Sequence, residues 1–213
     1  MITYKNFKDY LKVKVLKLHS LWNDELGFIF PISDELMKRN TYDTVGFLEE
    51  NSYVAICNNE PVGFVINKIW SHEYQLESYL NTGWISLIYV KKQFRNIGIG
   101  SELLQKSVDC FKSYGCNKVF LGRDYQNFFP GLPVDLKAHL KWFTKRGFCG
   151  LYDTNDLVNN NLDFKYELRD SFNIGSVIKG LLTAMGSSVT HEPTAQYSAF
   201  LYGSSSMILG LSK

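Results

Sequence analysis

The spacing of apolar residues in the first forty positions predicts a strand followed by two helices. Residues 2–7 favour a short strand, and residues 9–24 carry apolar side chains every three or four positions, the period of an amphipathic helix. Those side chains are Leu11, Val15, Leu18 and Trp22. The segment GFIFPIS at 27–33 interrupts this period, and a shorter helix is predicted over 34–40.

The middle of the chain has the spacing of strands. Two β-rich runs at 53–57 and 62–66 flank the polar segment NNEP, which predicts a hairpin. Residues 84–90, WISLIYV, form an almost uninterrupted apolar run of strand length. Such a run is typical of a central strand that is buried on both faces.

The second half alternates helices and strands. Helices are predicted over 98–114 and 133–146, and strands over 119–122, 148–152 and 164–168. Strands that follow one another early in the chain, with helices between strands later, predict an α/β (α+β) fold with a mixed sheet flanked by helices. No internal repeat is apparent.

Composition indicates a globular chain whose last part differs from the rest. The 213 residues are 45% apolar and 21% charged, which excludes a disordered protein. A net charge of +2 gives no sign of nucleic-acid or membrane binding. Residues 171–213 contain two lysines, one glutamate and no arginine, so we predict a domain over 1–170 and a charge-poor appendage of unknown role over 171–213.

Signals for export, membrane insertion and metal binding are not found in the sequence. The polar amino terminus MITYKNFKDY does not resemble a secretory signal, and no window reaches the roughly 18 apolar residues of a membrane span. The cysteines form no CxxC pair and have no metal-like spacing with histidines; they are Cys57, Cys110, Cys116 and Cys149. We therefore expect reduced thiols, no metal and a cytoplasmic location.

One segment, VKKQFRNIGIGSELL, carries a chemical signal. It leads from the predicted central strand into the helix, and Arg95, Gly98 and Gly100 form an Arg-x-x-Gly-x-Gly run. Glycines let backbone N–H groups converge at the positive end of the helix dipole, and nearby cationic side chains add charge. This combination suits a pyrophosphate.

The two glycines alone do not identify a ligand. A glycine-rich helix start without any ligand is the simplest interpretation. A dinucleotide fingerprint fails because position 103 is leucine, and a P-loop fails because no Gly-Lys-Ser/Thr follows.

The order of elements favours a more specific interpretation. Strand, Arg-x-x-Gly-x-Gly run, helix, strand and a helix ending in Gly147-Phe148 together resemble the GNAT (GCN5-related N-acetyltransferase) family. The likeness covers residues 1 to about 170. It is strongest over 88–104 and continues over 138–148, which resembles the penultimate helix of the family.

This resemblance implies the acyl-CoA N-acyltransferase fold, with a sheet that splays at its centre and acetyl-CoA as co-substrate. The pantetheine arm would pair with the main chain near Ile88 and Val90, and the pyrophosphate would lie on the N–H groups of 95–101. The implied cofactor-binding residues are Ile88, Tyr89, Val90, Arg95, Asn96, Ile97, Gly98, Ile99, Gly100 and Ser101.

The resemblance also implies direct attack of an amine on the thioester in a ternary complex, with a main-chain N–H close to Val90 stabilising the oxyanion. Many relatives have a tyrosine acid four residues before the Gly-Phe pair, but this chain has Phe143. The central strand contains no carboxylate. Chemistry would then rely on a water chain, on another hydroxyl or on positioning alone. Tyr89 and Tyr125 are the nearest candidates in sequence order, each more typical of packing or of a substrate wall, so the catalytic residues stay unassigned.

Two loops bear on the acceptor. The loop before the central strand, with His72, Glu73 and Glu77, either lines the acceptor cleft or is simply solvated. The segment 122–133, GRDYQNFFPGLP, resembles the corresponding loop in the first half of bacterial tandem-domain members. Its aromatic residues would form a wall of the acceptor pocket or a plug at the end of the sheet.

The function predicted from the sequence is acetyl transfer to a primary amine of a small molecule. Two alternatives stay open: a non-catalytic acyl-CoA-binding or regulatory domain, and a peptide or protein N-acetyltransferase. A homodimer is also left open, and the appendage would cover the sheet, join a dimer interface or begin a lost second domain.

Overall fold

The computed structural model describes residues 1–10, 12–70, 76–133, 136, 139–155 and 203–210. Strands and helices alternate in it much as the sequence predicts. The strands are β1 (Ile2–Asn6), β2 (Tyr53–Cys57), β3 (Glu60–Ile69), β4 (Thr82–Val90), β5 (Lys118–Leu121), β6 (Leu132–Pro133), β7 (Cys149–Asn155) and β8 (Gly203–Gly210). The helices are α1 (Lys12–Leu16), α2 (His19–Leu26), α3 (Asp34–Arg39), α4 (Ile99–Ser113) and α5 (Leu140–Thr144).

A single mixed sheet organises these elements. Strands β1, β2, β3 and β4 pair in that order as antiparallel neighbours. Strand β4 then pairs with β5 in parallel, and β5 pairs with β8 antiparallel. Strand β8 also pairs with β6 and β7. The mixed α/β sheet flanked by helices that the sequence predicts is therefore confirmed.

Apolar cores lie on both faces of the sheet. One contains side chains of α1–α3 against Phe64, Leu87 and Tyr89, and the other contains those of α4 against Val65, Ile85 and neighbouring strands. Strand β4 contributes to both cores, and seven of its nine residues are buried. The prediction of a central strand buried on both faces is confirmed.

The helix predicted over 9–24 is instead two helices. His19 Nδ1 lies 2.7 Å from the carbonyl oxygen of Leu16, and the Ser20 hydroxyl donates to the carbonyl of Lys17 at 2.6 Å. Such side-chain bonds to the preceding turn compete with the continuous helical ladder. The chain therefore turns between α1 and α2, although the apolar period runs through the turn.

The helix predicted over 133–146 begins later than expected. Pro133 lies in the short strand β6, and α5 begins at Leu140. Residues 134, 135, 137 and 138 lie outside the described residues, as does the predicted strand 164–168.

Part of the predicted appendage belongs to the sheet. On sequence grounds residues 203–210 lie beyond the acetyltransferase-like domain, but they form β8 between β5 and β7. The segment begins with a serine cluster that is typical of a loop, whereas its pairing depends on strands far away in the chain. Residues 171–202 lie outside the described residues, so the boundary at 170 stays a prediction.

The cysteines are all free. Burial raises the pKa of Cys110 to about 12 and that of Cys116 to about 11, so neither thiol is a ready nucleophile at neutral pH. In the described ranges, no three His, Cys, Asp or Glu side chains are grouped as metal ligands would be. None of the helices described above is long and apolar enough to cross a membrane.

A buried ion pair joins β3 to the loop after β5. Lys68 Nζ lies 2.8 Å from Asp124 Oδ2, and both side chains are fully buried. Burial lowers the pKa of Lys68, and the carboxylate of Asp124 opposes that shift. The second oxygen of Asp124 accepts backbone N–H groups of Gln126 at 3.0 Å and Phe128 at 3.2 Å. One carboxylate thus holds the lysine and shapes the loop.

Removing this carboxylate charge should destabilise the fold strongly. Asp124→Asn leaves the ammonium of Lys68 buried without its counter-charge, which typically costs about 3–5 kcal/mol of unfolding free energy. Urea denaturation measures the loss. The control is Glu50→Gln, which breaks the exposed pair with Lys8 and should change stability little. A loss for Asp124→Asn as small as that of the control would contradict the prediction.

Candidate active site

The central sheet splits between β4 and β5. Their parallel pairing ends at Ile85 and Leu121, where the N–H of Gly122 donates to the carbonyl of Ile85 at 2.9 Å. Strand β4 continues to Val90, while the chain turns away at Gly122 with φ +70°. A Cβ at Gly122 would lie 2.8 Å from the Cα of Gly131, so this turn requires glycine. The predicted splay of the two strands is confirmed.

A bulge in β4 lies at the point of the split. Ile66 of β3 pairs with Leu87, but the next residue, Asn67, pairs with Ile85. Ser86 is therefore the extra residue, and its hydroxyl donates to Asp124 Oδ2 at 2.7 Å. A bulge re-aims the backbone of the strand, and here it does so where the sheet opens.

A cavity of about 440 Å³ extends from this split to the beginning of α4. Eight of the ten predicted cofactor-binding residues line it: Ile88, Tyr89, Val90, Arg95, Asn96, Gly98, Gly100 and Ser101. The other two do not. Ile97 is 63% exposed on the surface, and the side chain of Ile99 is buried in the core beside α4. We therefore infer that these two residues would contact a ligand in the cavity only through their backbone.

Glycine conformation shapes the start of α4. Gly98 is the residue before the helix and has φ +95°, a left-handed conformation that other residues rarely adopt. A Cβ at Gly100 would lie 3.5 Å from the ring of Trp142. Because Gly98 and Gly100 have no side chains, the backbone at the start of α4 is accessible from the cavity.

The signature arginine is held by a residue that sequence reasoning missed. Arg95 Nη2 lies 2.6 Å from Glu25 Oε1, and its Nε donates to the carbonyl of Val90 at 2.8 Å. The other oxygen of Glu25 accepts the Tyr89 hydroxyl at 2.8 Å and the N–H of Lys92 at 3.2 Å. Glu25 of α2 thereby connects that helix to the end of β4.

A sequence signal for Glu25 existed. It lies three residues after Trp22 and one before Leu26, on the apolar face of its helix. An acidic residue on such a face needs a partner, but the sequence does not identify Arg95, seventy positions away, as that partner.

Both hydroxyls considered as catalytic groups have other partners. Burial and the hydrogen bond to Glu25 raise the pKa of Tyr89 strongly, so its proton stays on the oxygen. The Tyr125 hydroxyl donates to the carbonyl of Val45, and its ring packs edge-on against Trp70 and Trp84. Neither tyrosine is placed as an acid or base.

A second cation lies near the start of α4. Arg146 donates from Nη2 to the Ser101 hydroxyl at 2.8 Å and from Nη1 to the carbonyl of Trp142 at 2.9 Å. Its guanidinium lies 3.8 Å from the centre of the Trp142 ring. All three residues line the cavity. Sequence reasoning placed Arg146 only within a helix.

His139 also lines the cavity and directly precedes α5. Burial lowers its pKa, Arg95 lowers it further, and Glu25 opposes this shift. Phe143, one helical turn later, also borders the cavity, but it is largely buried and packs against Trp142 and Phe148. Because residue 143 is phenylalanine, its side chain offers no hydroxyl to the site.

The aromatic residues of the segment 122–133 both line the cavity and fill the core. Phe129 borders the cavity together with Trp22, and their ring centres lie 4.9 Å apart. Phe128 is buried behind it, with its ring centre 5.6 Å from Lys68 Nζ. Glu77 is exposed away from the cavity-lining set, and His72 and Glu73 lie outside the described residues.

The segments that build this geometry match a known family. Residues 15–129, more than half of the chain, match the family described as "Acetyltransferase (GNAT) family". The chain belongs to the GNAT family. Its splayed sheet, bulged central strand and glycine-rich helix start are therefore features of a GNAT protein.

Two curated relatives of this GNAT protein carry related names. It is 29% identical over 100 residues to N-alpha-acetyltransferase 30 of Schizosaccharomyces pombe, covering 47% of this chain and 58% of the relative. It is 37% identical over 73 residues to the N-alpha-acetyltransferase of Sulfolobus acidocaldarius, covering 32% of this chain and 44% of the relative. The matches thus span about half the length of these relatives.

A solved structure gives the same fold. The crystal structure of the NatC complex bound to Gag peptide and CoA superposes with a TM-score of 0.59 and 17% identity, covering 99% of both chains. At this identity the likeness shows that the GNAT fold is shared, as the sequence predicts.

The Glu25 network should make stability depend on pH. Burial alone would raise the pKa of Glu25, but hydrogen bonds from Tyr89 and Arg95, together with the charge of Arg95, lower it overall. A carboxylate with a lowered folded pKa stabilises the fold above about pH 4.5, and that contribution is lost as the pH falls through the folded pKa.

We therefore expect Glu25→Gln to lower the unfolding free energy at pH 7 by about 1 kcal/mol or less, because the group is partly exposed. Denaturation of both proteins from pH 7 to pH 3 should show this difference shrinking toward the acid end. A difference that stays constant over the range would contradict the role given to the charge.

Proposed function

We propose that this protein is an acetyl-CoA-dependent N-acetyltransferase. The observation that carries the proposal is the continuous cavity between the split of β4 and β5 and the beginning of α4. Beyond Ile85 no described strand pairs with this edge of β4, so the main chain near Ile88 and Val90 is offered to a pantetheine arm. The Val90 carbonyl already accepts the bond from Arg95. The cavity also offers backbone N–H groups and Arg146 for the phosphates.

The proposed chemistry needs no covalent enzyme intermediate. The amine attacks the thioester carbonyl while both substrates are bound, and coenzyme A leaves as the thiol. The buried thiols of Cys110 and Cys116 lie outside the cavity-lining set, which agrees with direct transfer. A main-chain N–H of β4 close to Val90 supplies the oxyanion donor.

We further propose that the acceptor is the α-amino group at the N-terminus of a polypeptide. The names of the two curated relatives support this acceptor class.

A small-molecule amine is the second candidate. The rings of Trp22 and Phe129 border the cavity together, and Phe129 is fixed by Phe30 at a ring-centre distance of 4.4 Å. Aromatic side chains of this kind are typical of the lining of small-molecule pockets. This acceptor class is also the one that the sequence predicts.

Release of coenzyme A thiol distinguishes the candidates. Each peptide is tested with a free α-amine and with that amine blocked, beside a panel of small primary amines. The proposal predicts turnover of free peptides that blocking abolishes. Turnover confined to small amines would favour the second candidate, and acetyl-CoA binding without turnover of any amine would favour a non-catalytic binding domain.

Gly98→Glu should abolish acetyl-CoA binding. The new carboxylate would project from the residue at the start of α4, where the phosphates are proposed to lie, and repel them. Isothermal calorimetry measures the affinity.

A matched control exists in Gly115→Glu. Gly115 also has a positive φ, +72°, and a Cβ there likewise meets nothing within 4 Å, but it lies at the other end of α4. Both variants carry the same kind of conformational strain, so equal loss of binding in the two would refute a phosphate site at Gly98.

Arg146→Gln should selectively weaken the binding of acetyl-CoA. If the guanidinium binds a phosphate, its loss raises the KM for acetyl-CoA by about tenfold, the equivalent of one charge-assisted hydrogen bond. S-Acetylpantetheine lacks the phosphates and serves as the internal comparison, because its KM should not change. An equal increase for both thioesters would show that Arg146 acts by holding Trp142 and α5 in place.

A further inference from the structure

The cavity contains one described side chain suited to proton transfer near neutral pH. Four ionisable side chains line its described part: Tyr89, Arg95, His139 and Arg146. The two arginines retain their protons at any physiological pH. Tyr89 keeps its proton in the hydrogen bond to Glu25. His139 alone of these four can both accept and release a proton under working conditions.

We propose that His139 carries the proton from the attacking amine to the departing sulfur of coenzyme A. This inference rests on the proposed N-acetyltransferase function and adds a catalytic residue to it. No motif of the sequence assigned His139 this role, and the position at which many relatives have a tyrosine is occupied by Phe143.

The position of His139 fits this role. It lies four residues, about one helical turn, before Phe143, so both project near the same side of α5, and both border the cavity. The cavity also reaches Ser86 and Leu87, where β4 bulges and the sheet opens. His139 therefore lines the same cavity as the segment of β4 beside which the thioester is proposed to lie.

The surroundings of His139 favour its neutral form. Burial is the largest influence that lowers its pKa, and Arg95 from the loop between β4 and α4 acts in the same direction. Glu25 from α2 opposes them but is itself paired with Arg95. Arg146, from the far end of α5, is a further cation on the cavity wall. A neutral imidazole is the form that accepts a proton.

The proton balance closes without another reactant. The amine nitrogen forms a bond to the acetyl carbon and the carbon–sulfur bond breaks. The proton lost by the nitrogen passes to the imidazole and from there to the thiolate. The products are the amide, coenzyme A and the neutral histidine.

The test compares His139→Ala, His139→Gln and the control His19→Gln. His19 is the first residue of α2 and pairs with Asp34 at 3.2 Å, outside the cavity-lining set. We expect kcat of both His139 variants to fall about 10²-fold or more, while calorimetry shows retained acetyl-CoA affinity. The control should keep the wild-type kcat. Added imidazole should restore part of the activity of His139→Ala but not of His139→Gln.

The pH profile gives a second readout that a merely structural role would not change. Protonation of the acceptor amine lowers kcat/KM below about pH 8 in every variant. The wild type should show a second, steeper loss, an acidic limb that begins as the pH falls through a pKa below the ordinary value of about 6.5, because protonated His139 cannot accept a proton. His139→Gln should lack this acidic limb. If the wild type is active and His139→Gln has the same kcat and the same acidic limb, the role of His139 is overturned and the proposed function stays intact. Wild-type protein that binds acetyl-CoA but acetylates no amine would overturn the proposed function instead.

Discussion

The buried pair of Lys68 and Asp124 is the interaction on which the shape of the site depends. Fully buried charges are tolerated only where both are paired and hydrogen-bonded, and Asp124 satisfies this with the ammonium, the Ser86 hydroxyl and two backbone N–H groups. These partners come from β3, from the bulge of β4 and from the loop after β5. One carboxylate therefore ties together the three segments that surround the split in the sheet.

The pair of Glu25 and Arg95 likewise connects separate elements, at the other end of the cavity. Arg95 belongs to the loop proposed to hold phosphates, which leads into α4. Glu25 belongs to α2, which packs with Trp22 on the face of the sheet opposite to α4. A ligand that moved Arg95 would therefore also change the partner of Tyr89 and the environment of α2. The Glu25 network thus joins the proposed phosphate loop to α2 and to the end of β4.

Local pattern was sufficient to predict most of the sheet. The hairpin β2–β3, the buried strand β4 and the helix α4 each follow from periodicity and from glycine or proline at their ends. The interactions that shape the site were not predictable in the same way. Lys68 looks like an ordinary polar position in a strand, and nothing near it in the sequence identifies Asp124, fifty-six positions later, as its partner.

The same distinction applies to the site residues. The Arg-x-x-Gly-x-Gly run pointed to the cavity because a local motif creates that backbone geometry. His139 and Arg146 reach the cavity from other elements, and Glu25 reaches Arg95 from α2, so only the three-dimensional packing reveals them. The motif also grouped Ile97 and Ile99 with the lining residues, although the turn directs one side chain to solvent and the helix directs the other into the core.

The late position of β8 has a consequence for how this chain folds during synthesis. Strand β5 has β4 on one edge, and β8 covers the other only after residues 203–210 have left the ribosome. Until then the nascent domain lacks that partner, although its glycine-rich loop has long since been made. An open strand edge is a template for intermolecular pairing. Between the synthesis of residue 121 and that of residue 203, this edge of β5 is thus without the partner that β8 provides.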